Sequence, residues 1–344
     1  MILALLALLA VQQPPLSKDP IRDWSYQRKE VNPKTGREEV TVILQGAEAI
    51  PVDLTKDKEI FEVRGAAARY FTDPRKPGEK SEEIRISAER ARMDNAARVL
   101  ELKDRVRVQK TDGSLLSTPS ALLRFHSRWV CPACGVLEEK AGLCPDHNSE
   151  RREKTTIDLE CDRDFELLRP DGIIRGELLS ADDAIRELKI LRNGFLELSG
   201  EPASIAGGAT GPAPSPLQTA FTQVHSKGPL HLREGDGQTI VRGSEGIRVD
   251  RIDAKGTMTL TARQGTVVAT LTEDAVTLRK TLVPRLVDAS GDVKLDGSTF
   301  SDGASHYVSG ETLLWEINPQ QDYTFDLARL SSPDGALELR TGSN

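Results

Sequence analysis

The chain has 344 residues, of which 38% are hydrophobic, 4% aromatic and 29% charged, with a net charge of −7. This acidic, mixed-sign balance argues against nucleic acid as a partner, because a phosphate-binding surface needs clustered positive charge. Scarce aromatics fit a thin β-structure cored by Val, Leu and Ile better than a wide enzyme core, and the length allows two domains or one extended β domain with additions.

Residues 1–12 run apolar from Met1 to Val11 and turn polar at Gln12-Gln13. About eleven apolar residues are too few for a bilayer core, which takes ~20, and suit a secretory signal peptide. The chain is therefore expected to be exported. Residues 13–37 are polar and contain Pro, and read as a flexible arm. From Glu38 the sequence alternates: Val40 to Leu44, Ile60 to Val63 and Ile84 to Ala88 are predicted strands. Ala88 to Arg98 resembles a helix in its Ala spacing. Its Asp94-Asn95 break equally fits two strands around a turn, and the repeat described next favours strand.

Leu100-Glu101-Leu102-Lys103-Asp104-Arg105-Val106-Arg107-Val108 returns 59 residues later as Leu159-Glu160-Cys161-Asp162-Arg163-Asp164-Phe165-Glu166-Leu167, and both copies run on into Asp-Gly. Apolar residues at alternate positions mark a strand with one buried face, and Asp-Gly marks a turn. Two equivalent strands imply a stacked β architecture with an insert between the copies. Glu201 to Pro216 is a linker by composition. Beyond it come short β-branched runs, Thr239 to Arg242, Thr257 to Leu260, Thr266 to Thr270 and Val276 to Leu278. The predicted fold class is all-β, with one module over 38–200, an insert over 126–154 within it, a linker over 201–216 and a second module over 217–344.

Ile86-Ser87-Ala88-Glu89-Arg90-Ala91, Val99-Leu100-Glu101-Leu102, Val106-Arg107-Val108, Asp112-Gly113 and Leu116-Ser117 together resemble the OstA-like repeat. That repeat occurs in the lipopolysaccharide-transport proteins LptA and LptC and in the N-terminal domain of LptD. Ala289-Ser290-Gly291-Asp292-Val293-Lys294-Leu295 is similar to the family's Gly-Asn-Val-x-Leu step, and Tyr307 with Thr312-Leu313-Leu314-Trp315 to its closing strands. The resemblance implies two open β-jelly rolls whose apolar groove cradles the acyl chains of lipopolysaccharide or a related lipid. It also implies edge strands that pair with other jelly-roll transport proteins, and a location in the periplasm of a Gram-negative-type envelope. Shielding acyl chains from water is worth ~0.8 kcal/mol per CH₂. Leu100, Leu102, Val106, Val108, Leu159, Phe165 and Leu167 are the candidate groove residues.

The insert lies outside the family pattern. Cys131-Pro132-Ala133-Cys134-Gly135 and Cys144-Pro145-Asp146-His147 form two knuckles of the type Cys-x₂-Cys and Cys-x₂-His. Four such donors on two tight turns close a tetrahedral zinc site and leave no coordination position for catalysis, so a structural zinc held by Cys131, Cys134, Cys144 and His147 is expected. A Cys131–Cys134 disulfide is the competing arrangement and strands Cys144 beside His147. Cys161 aligns with Leu102 and is expected to be a buried strand residue. His126 precedes the two knuckles and is an alternative ligand, though a lone residue is the favoured reading. His225, His231 and His306 have no partner at telling spacing, and no nucleophile, phosphate or dinucleotide motif is present. The chain reads as a non-enzymatic lipid-binding protein. A β-repeat scaffold or adaptor of the envelope, docking through the zinc knuckle, is the alternative.

Overall fold

The computed structural model describes residues 19–31, 38–55, 58–71, 82–133, 136–182, 185–202, 219–235, 237–253, 256–273, 280–297, 305–316, 329–331 and 338–342. The expected signal peptide, nearly all of the expected linker and the run Val276 to Leu278 lie outside these residues. Among the described residues all regular elements are β-strands, in agreement with the predicted fold class. The chain forms two compact units: Met1–Val108 with Pro119–Asp158, and Gln109–Thr118 with Leu159–Asn344.

In the first unit β1 (Ile21–Val31), β2 (Glu38–Thr55), β3 (Lys58–Phe71) and β4 (Glu83–Asp94) pair antiparallel in chain order. A turn at Asn95 to Arg98 leads into β5 (Val99–Lys110), so Ala88 to Asp94 is strand, and the break falls where Asp94 Oδ1 accepts the Ala97 N–H at 2.8 Å. The inward face is wholly apolar: Val63, Ala66, Ala68, Ile84, Ile86, Ala88, Leu100 and Leu102 are each at most 8% exposed. Residues 21–31 belong to the stretch expected to be a flexible arm, and that expectation is corrected here. They pair with β2 from Ile21↔Ala49 to Val31↔Glu38, and Trp24 lines an apolar recess together with Leu44 and Val63. The apolar alternation of this segment is confined to Trp24 and its neighbours, too short to announce a strand.

β6 (Leu115–Val130) alternates buried and exposed positions as far as Arg124, and its residues Phe125 to Val130 are all half-buried. The pairing of Trp129 and Val130 with β7 (Leu137–Glu138) shows that the strand continues where the sequence pattern stops. β8 (Arg152–Arg169) begins before the pattern resumes. The excursion between the two long strands is therefore 131–151, shorter than the expected 126–154.

In the second unit β8 pairs with β9 (Gly172–Ala181), which pairs with β10 (Glu187–Pro202). The other edge of β10 is shared. Its residues Glu187–Ile190 pair with β12 (Leu230–Gly235), and Gly194–Pro202 pair with β11 (Thr219–Ser226). The break between these segments is a bulge at Asn193, whose φ is +52°, and a bulge of this kind bends a strand. From β12 pairing continues to β13 (Gln238–Gly243), and from β11 to β14 (Ile247–Asp253) and β15 (Gly256–Ala262). β13 pairs with β16 (Gln264–Glu273).

Both branches end on one long strand, β17 (Lys280–Gly297). β16 takes its residues Lys280–Ser290 and β15 takes Lys294–Gly297, with the register shift against the next strand between Ser290 and Val293. The strands thus close a flattened ring, which is filled by side chains: Leu188, Ile190, Val224, Leu232, Val241, Leu260, Val267 and Leu295 are at most 1% exposed. β18 (Ser305–Glu316) continues from β17 and carries β19 (Arg329–Ser331) and β20 (Glu338–Gly342). Because β10 pairs with strands on the far side of the expected linker, 201–216 does not separate the compact units. The chain passes between the units at Val108/Gln109, Thr118/Pro119 and Asp158/Leu159 instead.

Candidate metal centre

Two short turns build the site. Cys131 follows the last residue of β6, and its N–H donates to the Val136 carbonyl at 3.1 Å, which folds the first turn back on the strand. The second turn is held from both sides: the Asn148 N–H donates to the Cys144 carbonyl at 2.8 Å and the Cys144 N–H to the Ser149 carbonyl at 2.9 Å. Asn148 takes the left-handed conformation, φ +47°, that Asn tolerates better than most residues. The Arg151 N–H closes on the Gly142 carbonyl at 2.9 Å just before β8 starts.

These turns bring Cys131 Sγ, Cys144 Sγ and a His147 ring nitrogen within 4.8 Å of one another. Cys144 Sγ and His147 Nδ1 are 3.7 Å apart. A tetrahedral ion with ~2.3 Å bonds to sulfur and ~2.0 Å to nitrogen holds its donors roughly 3.5–3.8 Å apart, so the group is close enough to hold a metal. Cys131 and Cys144 are 0% and 2% exposed, whereas His147 faces solvent. Neither thiol is in a disulfide. A thiol and imidazole set of this kind suits a borderline-soft divalent ion. Cys134, expected as the fourth donor, lies outside the described residues.

The fourth cysteine stands in β8 as expected. Cys161 is 2% exposed, and burial pushes its thiol up to about 12. His126 Nε2 lies 3.1 Å from Asp158 Oδ2 and is not in the metal group. His231 Nε2 approaches Glu187 Oε1 at 2.9 Å, and the His225 ring sits 4.9 Å from that of Phe195.

The groove candidates are interior residues of their own units. Leu100, Leu102, Val106 and Val108 are 6%, 2%, 1% and 2% exposed, and Leu159, Phe165 and Leu167 are 4%, 4% and 1%. Leu100 and Leu102 also line the recess of the first unit, with Ala66, Ala67, Ala68, Ala91, Met93 and Trp24. Its free volume is about 20 Å³, the room of roughly one water molecule.

A buried ionic cluster in the second unit escaped the sequence reading. The two repeat copies place Lys110 and Arg169 at equivalent positions, each two residues before the Asp of its own turn. Lys110 Nζ meets Asp112 Oδ2 at 3.2 Å. Arg169 forks onto Asp171 through Nε at 2.9 Å and Nη2 at 3.0 Å, and its Nη1 donates to Glu234 of β12. Burial pushes the Glu234 carboxyl up, and Arg169 opposes that shift. The matched Lys/Arg-x-Asp spacing was the available signal.

No protein-family model matches the sequence, and no curated protein matches it. The fold and the site define the class as an all-β protein with a thiol–imidazole cluster able to hold a metal.

Proposed function

We propose that this is a periplasmic, non-enzymatic β-jelly-roll protein of the lipopolysaccharide-transport type, which binds acyl chains between apolar sheet faces and carries a structural zinc knuckle. The observation that carries the lipid reading is the apolar recess of the first unit, lined by Ala66, Ala67, Ala68 and Ala91 and by Trp24 of β1. The recess holds about 20 Å³, and in this reading it widens to take an acyl chain. An acyl chain enters as β1 parts from the residues beneath it, and each buried CH₂ returns ~0.8 kcal/mol.

Edge-strand pairing with another jelly roll is part of the same reading. Among the described residues β1 pairs with β2 alone, which leaves its other edge as a template for strand addition. In the excursion, Cys134 joins Cys131, Cys144 and His147 as the fourth zinc donor. The donor chemistry supports zinc, since a closed Cys₃His set is a structural zinc arrangement.

The scaffold or adaptor reading rests on a different observation. The ring of the second unit is closed and filled, and the excursion exposes two large apolar side chains, Val136 at 47% and Leu143 at 60%, available for docking. A fluorescent fatty-acid probe separates the two readings. Trp24 is only half-buried, so Trp24→Asp is expected to leave the far-UV circular dichroism unchanged while weakening probe capture about tenfold or more, as loss of a large apolar contact implies. Equal capture by both proteins, or none by the unmodified chain, favours the scaffold.

A further inference from the structure

One residue that is not a metal ligand touches both turns of the metal centre. The Ser149 carbonyl accepts the Cys144 N–H at 2.9 Å, and the Ser149 Oγ lies 3.2 Å from Cys131 Sγ. Its side chain is half-buried, between an exposed neighbour on either side. Sequence spacing offers no reason to single it out, because it belongs to neither knuckle motif.

We infer that Ser149 is the positioning residue of the metal centre: its hydroxyl donates to the Cys131 sulfur and its carbonyl fixes the Cys144 backbone, so that one residue sets both sulfurs toward the same ion. This rests on the reading of the cluster as a metal site. In the metal-free thiol either the sulfur or the oxygen can donate. A metal-bound sulfur has lost its proton, so there the hydroxyl is the donor and the thiolate the acceptor. A hydrogen bond to an anionic sulfur is charge-assisted. It spreads the negative charge of a thiolate-rich centre, holds the lone-pair direction, and makes the sulfur a weaker nucleophile. Partners of this kind around first-sphere ligands contribute 10- to 100-fold to metal affinity in other sites. Among the described residues the exposed His147 ring meets Cys144 Sγ and has no comparable brace, so the ordering falls on the buried cysteines.

The test uses the full chain loaded with Zn²⁺ or Co²⁺. Ser149→Ala is expected to keep one metal per chain and the tetrahedral cobalt bands. It should lose about 10- to 100-fold in affinity against a competing chelator, shift the thiolate-to-cobalt charge-transfer band to longer wavelength, and speed alkylation of the zinc-loaded thiols by iodoacetamide. Ser149→Thr and Ser149→Val, nearly equal in shape, repeat the comparison in case Ala disturbs the turn. Thr should behave as the unmodified chain and Val as Ala. Affinity, band position and alkylation rate all unchanged in the Ala and Val variants overturn the inference. Loss of the tetrahedral bands in those variants also overturns it, because the hydroxyl is then a ligand. Failure of the unmodified chain to take up either metal is a separate outcome and removes the metal reading itself.

Discussion

Arg69 and Arg85 stand directly opposite each other in the β3–β4 register, where like charges repel. Glu83 resolves the conflict: it accepts from Arg85 Nη2 at 3.0 Å and from Arg69 Nε. The Arg85 bond first and the Arg69 bond second hold its carboxyl down at about 2, against an ordinary 4.5. Since the folded value lies below the unfolded one, the ionised carboxylate stabilises the fold above pH 4.5, and that contribution is lost as pH falls toward 2. The two arginines are 45% and 63% exposed, so solvent screening keeps the effect below ~1 kcal/mol. Urea midpoints measured between pH 6 and 2 should fall less steeply for Glu83→Gln than for the unmodified chain, and identical slopes would show the bridge to be inert.

The buried counterpart is larger. Arg169→Met removes the guanidinium that Asp171 and Glu234 share, and is expected to cost about 3 kcal/mol in urea denaturation. Adding Glu234→Gln should recover part of it. Residues of the interior were legible because alternation reports which face is apolar. This cluster offered only its matched Lys/Arg-x-Asp spacing, which does not distinguish a buried strand end from a solvated one.

At the scale of elements, the two Asp-Gly turns need glycine for different reasons. Gly113 has φ +91° in open space, whereas a Cβ on Gly172 would sit 1.9 Å from the Glu197 carbonyl oxygen of β10. Gly113→Asn is expected to be tolerated, because Asn accepts a positive φ at modest cost. Gly172→Asn should destabilise strongly by forcing β9 and β10 apart, and equal midpoints for the two variants would contradict the close-approach account. The sequence signalled both turns and could not separate these causes, because the contact that constrains Gly172 comes from a strand more than twenty residues away. The excursion makes a further prediction. Its turn hydrogen bonds and metal group lie within 131–151, and it is tied to β6 by the β7 pairing and the exposed Arg128–Glu139 bridge, so replacing that segment with a short Gly-Ser turn should leave the far-UV spectrum and thermal midpoint close to the original. Chelation should expose only its thiols. Unfolding of the whole chain on deletion would show that the strands depend on it.

For the whole molecule, the all-β class and the metal-ligand spacing were readable from the sequence, because both are written in local periodicity. Closure of the ring was not. It depends on β10 and β17 each pairing with two strands along a single edge, and no local pattern announces which distant strands share an edge. The same non-local pairing explains why the compact units do not part at the Pro-rich linker, the last passage between them lying at Asp158 and Leu159. The central claim is that the apolar interior of the first unit receives acyl chains, and the most direct measurement is mass spectrometry of lipids copurifying with the full chain from its native membrane. The account predicts an acylated glycolipid enriched over the bulk membrane composition and lost in Trp24→Asp. A lipid profile equal to the bulk membrane in both proteins would contradict it.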